Sequence, residues 1–70
     1  MRWSWERVGP GWYVMRAEGS ERVYAVRREE RGWGVYYTSD VKPDYMAKTC
    51  GEGRIHAESV ALDEYRERMT

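Results

Sequence analysis

Residues 12–37 read WYVMRAEGSERVYAVRREERGWGVYY, and this stretch decides the fold. Runs rich in Val, Tyr and Trp, which favour strands, alternate here with turn signals. Gly19-Ser20 is a two-residue loop of the kind that suits a type II′ turn, and residues 29–32 form a second loop. The stretch therefore predicts an antiparallel meander with strands over residues 12–18, 21–28 and 33–39.

Closing the two loops determines which side chains share a face of this sheet. The first loop places Met15 opposite Tyr24, and the second places Tyr24 opposite Tyr37. A one-residue error in either loop would turn one strand over, yet both loops give the same partition. Face one collects Tyr13, Met15, Tyr24, Val26, Trp33, Val35 and Tyr37. Face two collects Trp12, Val14, Arg16, Val23, Ala25, Arg27, Gly34, Tyr36 and Thr38.

Outside the meander, the pattern predicts one helix over about residues 57–69, a further strand over residues 3–8 and a loose connection over residues 39–53. The apolar positions of the helix follow the spacing of one helical face: Ala61, Leu62, Tyr65 and Met69, with Val60 at its edge. A helix this short must pack to be stable, and face one is its expected seat. We therefore expect one α+β domain over residues 1–70, with a three- to four-stranded antiparallel meander sheet packed on one C-terminal helix.

The composition narrows the class of protein. With 70 residues the chain has the length of one small domain, and its 12 Lys and Arg balance 12 Asp and Glu. A net charge of zero argues against a strongly basic nucleic-acid binder. One cysteine cannot form an internal disulfide, and no apolar run is long enough for a signal peptide or a membrane span. The expected location is the cytoplasm, with no membrane partner.

Few residues offer catalytic or metal chemistry. His56 is the sole histidine and Cys50 the sole thiol, which does not supply the ligands of a structural zinc site. The acidic pairs, Glu29-Glu30 and Asp63-Glu64, are expected on solvated surfaces that do not tune a carboxyl group for acid catalysis. We therefore expect no cofactor, no small-molecule substrate and no enzymatic activity.

Face two poses the functional question, because soluble monomers rarely leave a large apolar patch uncovered. One interpretation is that the N-terminal segment, with Trp3 and Trp5, covers this face or extends the edge of the sheet. A second is that the face binds a protein partner or another copy of the chain. A third is that it binds nucleic acid.

The candidate partner-binding residues on face two are Trp12, Arg16, Arg27 and Tyr36. Trp, Tyr and Arg dominate the energetics of protein interfaces, which favours a protein partner or a homo-oligomer. In the nucleic-acid interpretation, four arginines contact phosphates while Trp12 or Tyr36 stacks on bases. Those arginines are Arg16, Arg22, Arg27 and Arg28. The neutral net charge makes DNA the alternative partner rather than the favoured one.

Several stretches carry a resemblance to known proteins. They are residues 11–14, 22–28, 32–33 and 58–65, which read GWYV, RVYAVRR, GW and ESVALDEY. In this pattern the chain resembles short uncharacterised proteins of actinobacterial phages and their hosts, which run strand, strand, strand, helix. The resemblance spans about residues 9–69 and implies a phage-type accessory protein in the host cytoplasm, without an activity or a site.

The stretch Gly53-Arg54-Ile55, followed by residues 58–65, is similar to the strand-to-helix join of AP2-type and phage-integrase arm-binding domains. Those domains read DNA with a three-stranded sheet, so this resemblance implies the DNA-binding alternative through the same face. The domains are strongly basic, and this chain departs from them in being neutral.

Overall fold

The computed structural model describes residues 1–69, which form one antiparallel sheet and one helix. The sheet has the order β1-β2-β3-β4-β5, and the helix α1 follows it in the chain. The elements are β1 (Trp3–Gly9), β2 (Trp12–Ala17), β3 (Val23–Glu29), β4 (Gly32–Tyr37), β5 (Tyr45–Ala47) and α1 (Cys50–Met69). The predicted α+β class is confirmed, and the sheet has five strands rather than three or four.

The predicted register of both hairpins is confirmed. Met15 pairs with Tyr24 across β2 and β3, and Tyr24 pairs with Tyr37 across β3 and β4. The pairing of the first hairpin ends at Arg16–Val23, so its loop is longer than the two residues predicted. The second hairpin closes at the pair Glu29–Gly32, so its loop is shorter than predicted, and the register is unchanged in both. Face one is the core face, and its fully buried side chains are Met15, Tyr24, Val26 and Val35.

Helix α1 begins seven residues earlier than predicted, because a capping arrangement starts it. The hydroxyl of Thr49 accepts a hydrogen bond from the backbone N–H of Glu52 (3.1 Å), and the Glu52 carboxylate accepts one from the backbone N–H of Lys48 (3.1 Å). Thr49 and Glu52 thus satisfy donors that a helix start leaves unpaired, much as in a capping box. The predicted start at residue 57 is wrong for this reason.

The buried side of α1 is made of small residues, namely Gly53, Ala57 and Ala61. A Cβ atom at Gly53 would lie 3.1 Å from Val26 Cγ1, which shows how closely the helix backbone approaches the sheet. The predicted apolar stripe is correct at Ala61 and wrong at Met69, which is 69% exposed. A helix lying this near the sheet has no room for large side chains along its line of contact.

Two further strands flank the meander. The predicted N-terminal strand is confirmed as β1, which pairs with β2 and places Trp5 opposite Met15. The indole N–H of Trp5 donates to the Glu58 carboxylate on α1 (2.7 Å), so β1 is fastened to the helix. The stretch predicted as loose contains β5, which pairs with β4 at the other edge.

One buried hydroxyl of the core has no hydrogen-bond partner among the described residues, that of Tyr37. Replacing Tyr37 with Phe removes this group and leaves the ring in place. Because a buried hydroxyl without a partner costs free energy, we expect Tyr37→Phe to match the parent or to raise the free energy of unfolding by up to about 1 kcal/mol. Urea denaturation measures this, and a loss above about 1 kcal/mol would reveal a partner for the hydroxyl.

Tyr24→Phe is the matched comparison. The Tyr24 hydroxyl donates to the Glu64 carboxylate (2.7 Å), so its removal is expected to lower the free energy of unfolding by about 1.5 kcal/mol. The two substitutions delete the same atom from neighbouring rings, yet their expected effects on the free energy of unfolding have opposite signs.

The same two tyrosines make the fold sensitive to alkaline pH. Burial, with a smaller contribution from Asp44, raises the pKa of Tyr37 to about 12, and burial and the bond to Glu64 raise the pKa of Tyr24. Unfolded tyrosine loses its proton near pH 10, so above that pH the unfolded state binds fewer protons than the folded state. The free energy of unfolding is therefore expected to fall as pH rises above about 10, by up to roughly 1.4 kcal/mol per pH unit for each tyrosine. The urea midpoint of Tyr37→Phe should fall less steeply with pH above about 10 than that of the parent chain. Equal slopes in the two proteins would contradict the assignment of this pH dependence to Tyr37.

Candidate functional site

The helix covers one face of the sheet. Helix α1, the one helix among residues 1–69, lies against β3, β4 and β5 on face one. The N-terminal segment extends the edge of the sheet as β1, and Trp5 lies on face one rather than over face two. Of the two arrangements predicted for this segment, edge extension is correct, and β1 does not cover face two.

Three of the four predicted binding residues meet on face two. The Arg27 guanidinium carbon lies 5.2 Å from the centre of the Trp12 ring and 5.9 Å from the centre of the Tyr36 ring. Trp12 and Arg27 are cross-strand partners, as predicted from the first hairpin. We call Trp12, Arg27 and Tyr36 the aromatic ridge. The cation stacked between two rings holds three large side chains in one arrangement.

Gly34 and Glu29 fix the position of Tyr36. A Cβ atom at Gly34 would lie 3.0 Å from the Tyr36 ring and 3.0 Å from Pro43, so the ring lies over this glycine. The Tyr36 hydroxyl donates to the Glu29 carboxylate (2.8 Å). Burial, followed by this hydrogen bond, raises the pKa of Tyr36. The ring is therefore held at both ends before any partner arrives.

Arg16, the fourth predicted residue, lies away from the ridge. It is four residues from Trp12 along β2, a distance of about 13 Å in an extended strand. There it lines a concave region of about 230 Å³, which we call the valine hollow. The lining residues are Ser4, Glu6, Val8, Val14, Arg16 and Val23. Face two thus has a raised half and a concave half.

Two further apolar residues lie on face two, and the pattern of the sequence does not predict them there. Val8 and Met46 are each 42% exposed, as is Trp12. Met46 pairs with Gly34, which places it on face two beside the ridge. The pattern of residues 39–53 predicts a loop, whereas β5 ends at Ala47, two residues before the Thr49 cap.

Two of the four arginines in the nucleic-acid interpretation lie elsewhere. The Nε atom of Arg22 lies 3.2 Å from the Glu64 carboxylate of α1. Arg28 pairs with Trp33, a residue of face one. Face two keeps Arg16 and Arg27, with the carboxylates of Glu6 and Glu29 on the same face, so the prediction of four arginines together is wrong.

Cys50 and His56 form no reactive pair in this fold. They lie six residues apart on α1, a rise of about 9 Å on different sides of the helix. The His56 ring stacks on Tyr45 of β5, with centres 4.0 Å apart and planes inclined by 7°. His56 therefore joins the helix to the edge strand. Among residues 1–69, no three His, Cys, Asp or Glu side chains are grouped so as to hold a metal ion.

Comparison with known proteins gives no relative: no protein-family model, no curated protein and no solved structure matches the chain. The resemblances to phage proteins and to integrase arm-binding domains stay predictions. In the described part of the chain, no helix has the length and apolar character needed to cross a membrane.

Proposed function

We propose that the chain is a non-catalytic binding module, located in the cytoplasm, whose face two contacts another polypeptide. The observation that supports this is the side of the sheet opposite α1, where Trp12, Val8 and Met46 each expose 42% of their surface. Three exposed apolar side chains on one face of the sheet form a patch of the kind that marks interaction sites.

The aromatic ridge would supply most of the binding free energy. Arg27 is stacked between Trp12 and Tyr36, and Tyr36 is tied to Glu29, so little side-chain entropy remains to be lost when a partner binds. In alanine scans, the residues whose truncation weakens binding by about 2 kcal/mol or more are enriched in Trp, Tyr and Arg. We therefore place the energetic centre of the interface at Trp12.

The charges of face two favour a protein over DNA. A phosphate backbone attracts clustered cations, and here Arg16 and Arg27 are offset by Glu6 and Glu29 on the same face. Titration with duplex DNA at low salt is expected to show no binding. Binding that weakens steeply as salt is added would support the DNA alternative instead.

Photo-crosslinking tests the proposal in the cells that produce the chain. A photoreactive amino acid at position 8 or 46, on the rim of face two, is expected to form adducts with a polypeptide. The control position is 55 on the outer side of α1, where Ile55 is 63% exposed. Adducts from position 55 alone, or from none of the three, would contradict the proposal.

Substitution of the ridge makes the test specific. Trp12→Ala is expected to abolish the adducts while leaving the fold intact, because Trp12 lies outside the core cluster. Trp3→Ala is the matched control, since Trp3 is 38% exposed at the edge of the sheet. Equal loss of adducts in Trp12→Ala and Trp3→Ala would show that the aromatic ridge does not contribute specifically to binding.

A further inference from the structure

We propose that the polypeptide bound by face two is a second copy of this chain, related to the first by a two-fold axis. This inference rests on the proposed function and names its partner. In this dimer two sheets pack face to face with the two helices outside, an arrangement typical of sheet-on-sheet packing. A two-fold interface must be complementary to itself, because the same patch is used twice.

The shape of face two meets this requirement. Trp12 and Arg27 stand in the half of the sheet nearest the β1–β2 turn, and the valine hollow extends from Val8, beside that turn, to Ser4, Arg16 and Val23 in the other half. The proposed two-fold axis lies between the two sheets and runs perpendicular to the strands. It places the ridge of each copy over the hollow of the other. The hollow, at about 230 Å³, has the volume of roughly eight water molecules, which is room for one aromatic side chain.

The hollow also has the chemistry to receive Trp12. Its floor is Val14 and Val23, which are half-buried and apolar, and Arg16 stands at its rim. An indole entering from the partner would cover both valines and meet the Arg16 guanidinium, a cation–π contact that strengthens when water is excluded. This gives Arg16 a role in binding although it lies apart from the ridge.

The charges of face two balance within the face. Arg16 and Arg27 are matched by Glu6 and Glu29, and the chain as a whole has a net charge of zero. The ion pairs Arg22–Glu64 and Arg66–Asp63 use no charge of this face. Two copies can therefore approach without net repulsion and offer each other charges of both signs.

The size of the sheet sets the area that face two can bury. From strand spacing and rise, five strands of about six residues give a face of roughly 20 Å by 20 Å.

The same dimensions limit the strength of the dimer. Two faces of about 400–500 Å² each give a total near 1,000 Å², which is below the standard size of about 1,600 Å². We therefore expect a concentration-dependent dimer with a dissociation constant on the order of 10–1,000 μM, and not an obligate one.

Sedimentation of the purified full chain over micromolar to millimolar concentrations tests this inference. The parent chain is expected to pass from monomer to dimer. Ala25→Arg, which places a long cation at the centre of face two, and Trp12→Ala are expected to stay monomeric with unchanged circular dichroism. Ile55→Arg, on the outer side of α1, is expected to dimerise like the parent.

Sedimentation and photo-crosslinking together distinguish binding of a second copy from binding of a different polypeptide. A dimer lost in both face-two variants and kept in Ile55→Arg supports the inference. A monomer at every concentration, or a dimer that Ala25→Arg leaves unchanged, overturns it. If the purified chain is monomeric while photo-crosslinks from position 8 or 46 join it to a different polypeptide, the second copy is excluded and the proposed function stands. If neither experiment joins face two to any polypeptide, both are overturned.

Discussion

Replacing Tyr24 with Ala is expected to lower the free energy of unfolding by about 4 kcal/mol, the middle of the range for large buried aromatic residues. The side chain is 0% exposed, and its ring meets Tyr37 edge-on with centres 5.5 Å apart. Its hydroxyl donates a hydrogen bond to the Glu64 carboxylate, which also forms an ion pair with Arg22. The substitution thus leaves a cavity and releases the contact that holds the C-terminal half of α1 to the sheet.

The measurement is urea denaturation followed by circular dichroism, and Tyr65→Ala is the matched control. Tyr65 lies on α1 outside the core cluster, where Arg68 rests over its ring, so its truncation is expected to cost about 1 kcal/mol or less. A loss below about 1 kcal/mol for Tyr24→Ala would place that ring on the surface and reverse the two faces of the sheet.

Replacing Gly53 with Leu is expected to lower the free energy of unfolding by about 3 kcal/mol, at the upper end of overpacking costs. A single Cβ atom at this position already lies 3.1 Å from Val26 and 3.5 Å from Val35. A leucine side chain must displace α1 from face one or distort both valines. The loss would show in thermal unfolding and in the amide exchange of Val26 and Val35.

Gly51→Ala is the control, two residues earlier in the same helix. A Cβ atom there has only the Thr49 hydroxyl within 4 Å, at 3.9 Å. Because alanine favours a helix more than glycine, this variant is expected to gain up to about 1 kcal/mol. If the two substitutions changed the free energy of unfolding in the same direction and by similar amounts, close approach of α1 to the sheet would not be the reason for glycine at position 53.

The hairpins could be predicted because their information is local. Two short loops set the register, and the alternation of side chains along residues 12–37 then assigned the core residues Met15, Tyr24, Val26 and Val35 without any long-range contact. The cluster of Trp12, Arg27 and Tyr36 follows from the same register, since these residues occupy adjacent strands on one face.

Elements that depend on tertiary packing were missed. Gly51 and Gly53 disfavour a helix by propensity, and only the closeness of Val26 and Val35 explains the glycine at position 53. The Thr49–Glu52 cap is a sequence signal that could have been read, and it would have placed the helix start correctly. β5 has only three residues, too few for a pattern, and it forms because β4 offers an unpaired edge.

The central claim is that face two is open in the isolated chain and covered in its working state. Methionine oxidation read by mass spectrometry tests it directly, because Met46 on face two and Met69 at the end of α1 are 42% and 69% exposed. We predict that both are oxidised in the dilute purified chain and that Met46 alone is protected in the cells that produce it. Oxidation of Met46 and Met69 in the same ratio in both settings would contradict the claim.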